Sequence, residues 1–253
     1  MSKKVFIFDF DGVICDSTPE CMVSAWNTWN KFHNKRENFL TDLSSFKKKE
    51  INSFKLLRPF VRGAGEYFTL MNFLDVGYPI KNISKDIYEK SVLNNEINNQ
   101  KYKEIFYHQR SLLRSKNLNE WIKLHKIFKP VLKFISKLYQ DNELYIATLK
   151  DKESVKIILE SNDIFLKDSK ILDQSQINNK LSALNFFKDL LRKKNEEIIF
   201  IDDNVSHLLE PNKKGYLVHL STWCNCSEES KSIAKKNGIK LLNDIIQLES
   251  NYV

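Results

Sequence analysis

Apolar positions along this chain follow two rhythms. Val5 to Phe8 is an unbroken β-branched and aromatic run, the pattern of a strand buried on both faces. "DSTPE" follows closely, where Ser17 and Glu20 predict a capping box and Pro19 suits a first helical turn. From there to about His125 the spacing is helical and no strand is predicted, as in "ECMVSAWNTWNKF", "GAGEYFTLMNFL", "IYEKSVLNNEI" and "YKEIFYHQRSLLRS". Lys81 to Asn99 is polar and Asn-rich and carries the weakest pattern.

Alternation of helix and strand sets in at Pro130. A helix to about Tyr139 precedes the strand "ELYIATL", Glu143 to Leu149, and a second helix opens at Asp151. A short strand near Lys170 to Leu172, a helix over Leu181 to Lys194 and the strand "EIIFI", Glu197 to Ile201, come next. One more helix and "YLVHL", Tyr216 to Leu220, complete the pattern. Strands alternating with helices imply a parallel sheet with right-handed crossovers, to which the first strand also belongs. The expected fold is α/β: a doubly wound parallel sheet from residues 1–14 and 128–253, with an all-helical domain, 15–127, inserted after the first strand.

Composition narrows this picture. Of 253 residues, 42% are hydrophobic and 12% aromatic, enough to bury a sizeable core, and 6 glycines with 5 prolines argue against disordered tracts, collagen-like repeats or a turn-dense all-β sandwich. No apolar stretch approaches the ~20 residues of a membrane span. "MSKK" leads straight into a strand without a signal peptide's apolar region, so a cytoplasmic protein is the default expectation. In that setting Cys15, Cys21, Cys224 and Cys226 are expected as free thiols, and the C-x-C spacing lacks the second pair of a structural zinc site. The net charge of +8 comes from scattered lysines rather than a basic stripe with interleaved aromatics. A nucleic-acid module is therefore not expected, and an anionic small substrate is.

The chemistry collects where strands end. Ligands of open α/β sheets bind outside the carboxyl ends of the strands. Here the first strand delivers Asp9 and Asp11, "YIAT" delivers Thr148 followed by Lys150, and "IIFI" delivers Asp202 and Asp203. Carboxylates converging on one edge repel, and a divalent cation resolves the conflict. In the inserted segment Lys55, Arg58 and Arg62 share a potential helical face, where arginines either recognise an anion or stay in solvent. Trp26, Trp29 and Phe32 read as core of the inserted domain, and His33, His108 and His125 show no partner.

"DFDGVICDS" resembles the first motif of the haloacid dehalogenase superfamily in its phosphatase form, D-x-D-G-x-hydrophobic-x-D-S. "IATLK" is similar to the second motif, Lys180 in "NNKLSALNFF" stands where the family carries its third-motif lysine, and "FIDDN" looks like the acidic fourth. The four occur in family order, cover about half the chain, and flank an insertion placed like the family's helical caps. The resemblance implies a Rossmann-like core and Mg²⁺-dependent hydrolysis of a small phosphorylated substrate. Asp9 would be the nucleophile and Asp11 the general acid and base. Thr148 would donate to the phosphoryl group and Lys180 would neutralise charge, with Lys150 a substitute for it or a substrate ligand beside Arg58 and Arg62. Asp203 would hold the metal with Asp202 as a second or outer-shell ligand, which of the pair ligates directly being open, in a set with Asp9 and Asp11, whose backbone carbonyl binds metal in the family. An aspartate at position 11 disfavours dehalogenation, since halide leaves unprotonated. His207 departs from the family, which has an acidic residue there. A phosphomutase and a non-catalytic binding protein are the alternatives, and neither the substrate nor the oligomeric state is legible.

Overall fold

The computed structural model describes residues 4–36, 38–141, 144–224 and 226–248. The chain divides into two units, one of residues 1–16 and 127–253 and one of residues 17–126.

In the first unit Val5–Phe8 runs through the middle of a six-stranded sheet. The order is Ile171–Leu172, Leu144–Ala147, Val5–Phe8, Ile198–Asp202, Leu217–Ser221 and Lys240–Leu242, with every neighbouring pair parallel. Alternate side chains of the central strand point to opposite faces. Val5 and Ile7 pack into a cluster with Ala183, Leu184, Phe187, Val205, Leu208 and Ala234, from helices Lys180–Leu190, Val205–Lys213 and Glu228–Lys236. Phe6 and Phe8 meet Phe134 of helix Lys129–Gln140, edge to face at centroid distances of 5.5 and 6.3 Å. Helices thus cover both faces, which explains why this strand has no polar position: burying each large apolar side chain is worth roughly 1.5–3 kcal/mol.

Several boundaries move. The final strand, Lys240–Leu242, was not anticipated, because three residues with an exposed lysine carry no strand signal. A turn of 3-10 helix, Asp168–Lys170, takes the start of the expected third strand. Asp202 is the last residue of its strand rather than the first beyond it. Glu143, expected to open the second strand, lies outside the described residues, and that strand is described from Leu144.

The second unit is helical, with helices Thr18–Phe32, Lys48–Leu57, Tyr67–Asp75, Lys85–Asn94, Glu96–Lys116 and Leu118–Lys123. Trp29, Phe54, Tyr67, Phe68, Tyr102 and Phe106 form its core, with Trp26 and Phe32 packed against it. Gly65 lets the chain pass the helix Glu96–Lys116, since a Cβ there would lie 2.4 Å from the Asn99 carbonyl oxygen.

Two expectations fail in this unit. Ser17 does not cap the first helix through its side chain. Glu20 instead points inward, wholly buried, and accepts a bidentate pair from Arg110 at 2.8 and 3.0 Å and a bond from the Ser24 hydroxyl at 2.6 Å. His125 is not partnerless: its Nδ1 lies 3.0 Å from the Trp121 carbonyl oxygen and its Nε2 3.8 Å from Glu20 Oε2.

Candidate active site

Parallel register brings three strand ends level. Phe8 lies opposite Ile146 on one side and Ile201 on the other, so Asp9, Ala147 and Asp202 all stand at the carboxyl edge of adjacent strands. The Asp9 N–H still donates to the Ile201 carbonyl at 2.8 Å, and the Thr148 N–H to Leu172 at 2.9 Å. These residues are therefore fixed by the last rungs of the sheet.

Lys180 reaches into this edge from the first position of its helix, which Asn179 caps by accepting from the Ser182 N–H at 2.9 Å. Its ammonium, 2% exposed as a residue, donates to the Ala147 carbonyl at 2.7 Å and lies 2.8 Å from Asp9 Oδ1 and 3.3 Å from Asp202 Oδ2. One cation thus touches the ends of three neighbouring strands. Burial alone would favour its neutral form, but the two carboxylates outweigh that and raise its pKa.

The carboxylates respond in opposite senses. Burial pushes Asp9 up, Asp202 adds to this, and Lys180 opposes it. Its Oδ1 accepts from the Phe10 N–H at 2.7 Å as well as facing Lys180, and Oδ2 takes neither contact. Asp202 is also pushed up by burial, but His207, Lys180 and the Asn204 N–H more than offset this and hold it well below the usual carboxylate range. His207 Nδ1 lies 3.1 Å from Asp202 Oδ2, and the Asn204 N–H donates to Oδ1 at 2.8 Å.

Asp11 sits in a tight loop, with the Gly12 N–H donating to Cys15 at 2.8 Å. Gly12 has φ +82°, and a Cβ there would lie 1.9 Å from Asp203 Oδ2, so the loop needs glycine for its backbone and for the close approach of Asp203. The Trp223 indole N–H donates to the Val13 carbonyl at 3.1 Å and ties down the same loop. Lys150 Nζ lies 3.4 Å from Asp11 Oδ1, and the Lys150 N–H donates to the Thr148 hydroxyl oxygen at 3.1 Å.

The four motifs of the strand ends are thus gathered in one unit, and the lysine beside Asp9 is Lys180 rather than Lys150. Arg58 and Arg62 belong to the helical unit. Arg62 pairs with Glu66 at 2.9 Å, and Arg58 donates to the Val61 carbonyl at 3.4 Å beside the Tyr67 ring. Among the described residues, the group whose donor atoms all lie within 4.8 Å of one another is Asp9, Asp202 and His207. Two carboxylates and an imidazole are donors that suit a divalent cation. Asp203, expected as the chief ligand, is outside that group and lies against Gly12. His207 was legible only as the family's missing acid, because nothing in its helical setting marks a site residue. Burial pushes the Cys226 thiol up to about 11.

No family model and no curated protein matches the chain. Solved structures do. A haloacid dehalogenase-like family hydrolase from Streptococcus pneumoniae superposes with a TM-score of 0.62 at 15% identity, covering 99% of each chain. A predicted phosphoglycolate phosphatase from Haemophilus somnus gives 0.64 at 14% identity, over 98% of this chain and 97% of that one. A β-phosphoglucomutase from Clostridium difficile gives 0.53 at 17% identity, over 98% and 93%. The near-complete coverage takes in sheet and helical insertion alike, and this chain has the haloacid dehalogenase-like fold.

Proposed function

We propose that the protein is a Mg²⁺-dependent phosphatase that hydrolyses a small phosphorylated metabolite through an aspartyl-phosphate on Asp9. The observation that carries this reading is the double pairing at the sheet edge: Lys180 with Asp9 at 2.8 Å and Lys150 with Asp11 at 3.4 Å, beside the Thr148 hydroxyl. The superfamily's phosphatase motif has the same two aspartates, and the structural neighbour named as a predicted phosphoglycolate phosphatase shares the fold.

In this scheme Asp9 attacks phosphorus in line through the carboxylate oxygen that does not face Lys180. The P–O ester bond breaks and the departing alkoxide takes a proton from Asp11. A water then attacks the aspartyl-phosphate, giving its proton to Asp11, and inorganic phosphate leaves with Asp9 restored. Lys180 balances charge on the nucleophile and on the transferring group, and Thr148 donates a hydrogen bond to a phosphoryl oxygen. Mg²⁺ would be held by Asp9, the Asp202–Asp203 pair and the Asp11 backbone carbonyl, with His207 bordering the site, and when bound it neutralises phosphoryl charge. Arg58 and Arg62, from the helical unit, are proposed substrate contacts, since a guanidinium suits a phosphate or carboxylate group.

The test is phosphate release from a panel of sugar, nucleotide and carboxylic acid phosphates, with Mg²⁺ and with chelator. Wild type should turn over at least one class, lose activity with chelator, and be silenced by Asp9→Asn. A panel without turnover at saturating Mg²⁺ would overturn the reading. The likeness to a β-phosphoglucomutase favours one second reading, return of the phosphoryl group to substrate, which an isolated bisphosphorylated intermediate would establish.

A further inference from the structure

The geometry points to Lys150 as the residue that positions the Asp11 carboxyl for its proton transfers, an inference that rests on the proposed phosphatase function. The two buried lysines at the sheet edge are divided between the two aspartates. Lys180 is committed to Asp9, Asp202 and the Ala147 carbonyl, whereas the Lys150 ammonium faces Asp11 Oδ1 at 3.4 Å. Lys150 is 2% exposed and its side chain is fully shielded, so its charge is kept inside by this arrangement rather than by water.

Position matters more for Asp11 than for most carboxyls. A general acid must reach the leaving oxygen at about 2.6–3.2 Å between heavy atoms, and displacements near 1 Å cost orders of magnitude in rate. Asp11 projects from a loop rather than a strand, its side chain turns about two torsions, and it keeps partial exposure at 15% of the side chain. An ammonium on one carboxylate oxygen fixes both torsions. Lys150 also donates its N–H to the Thr148 hydroxyl oxygen at 3.1 Å, orienting that hydroxyl's own proton away from the backbone. The residue therefore links proton donor and phosphoryl ligand without needing to touch substrate.

A positioning role for the acid has a signature that loss of packing lacks. The ratio kcat/KM reports events through departure of the leaving group, and protonation matters most where that group is a poor one. In Lys150→Met, kcat/KM should fall by about 100-fold for phenyl phosphate but by less than about 10-fold for p-nitrophenyl phosphate, whose phenolate leaves with little help. Lys150→Arg should recover most of the difference. Equal losses on both substrates, or no loss on either, would overturn the inference. A crystal structure of Lys150→Met reads the same point without turnover: Asp11 should swing from its present orientation, and an unmoved Asp11 would refute the role. A wild type inert toward aryl phosphates and toward the sugar, nucleotide and carboxylic acid phosphates alike would count against the phosphatase reading, while that crystal structure would still decide the role of Lys150.

Discussion

The Lys180 ammonium lies 2.8 Å from Asp9 Oδ1 while also bonding the Ala147 carbonyl at 2.7 Å, so the charge beside Asp9 is anchored in a different strand. Breaking a buried pair by removing one member costs about 3–5 kcal/mol, because the remaining charge is left uncompensated. Lys180→Met should therefore destabilise the protein by about that amount. Adding Asp9→Asn should return part of it, measured as a coupling energy in urea unfolding. Strictly additive losses would show that the two side chains do not share their charge.

Gly12 offers a second check. A methyl group there would meet Asp203 Oδ2 at 1.9 Å on a backbone with φ +82°. Gly12→Ala should cost about 1–3 kcal/mol in backbone strain alone and more from the displaced carboxylate. A shift in the urea midpoint, accompanied by loss of phosphate release, is the expected result.

In the helical unit, Glu20 and Arg110 form a fully enclosed bidentate pair across 90 residues of sequence. Arg110→Met should lower the melting temperature by about 10 °C, from a loss of about 3–5 kcal/mol spread over a chain of this size. Glu20→Gln with Arg110→Met should melt higher than Arg110→Met alone, as differential scanning fluorimetry would show.

His219 predicts a pH dependence. Burial, aided by Lys240, lowers its pKa to about 4 from the ordinary 6.5 of a histidine. A depressed folded-state pKa means that the unfolded chain binds the proton first. Its contribution is full above 6.5 and falls away as pH drops through about 4, in total about 3 kcal/mol. His219→Leu should flatten the urea stability curve over that range relative to wild type, and a parallel curve would refute the assignment.

The motifs were legible because they are local. Asp9, Asp11, Thr148, Asp202 and Asp203 follow apolar strand runs directly, and an apolar run ending in paired acids is visible in a linear string. Lys180 was placed by its likeness to the family's third-motif lysine ahead of a helix, and its bonds to Asp9 and Ala147 depend on which strands become neighbours. Lys150 illustrates the limit more sharply: its spacing after Thr148 suggested a substitute for Lys180, while the fold gave it a different carboxylate. Glu20 looked like a cap because its spacing from Ser17 matches one, and a partner 90 residues away leaves no local trace. Lys240–Leu242 escaped notice since a three-residue edge strand has too few positions to display a period.

The shared rung at Asp9, Ala147 and Asp202 has a consequence for quality control. A one-residue slip of the central strand would turn Asp9 toward a helix-covered face and bring an apolar side chain to Lys180 in its place. The lysine thus works as a gauge that accepts a single alignment of three separate pieces of chain. Molecules assembled out of step would be chemically silent rather than partly competent, so turnover per mole would count correctly paired sheets.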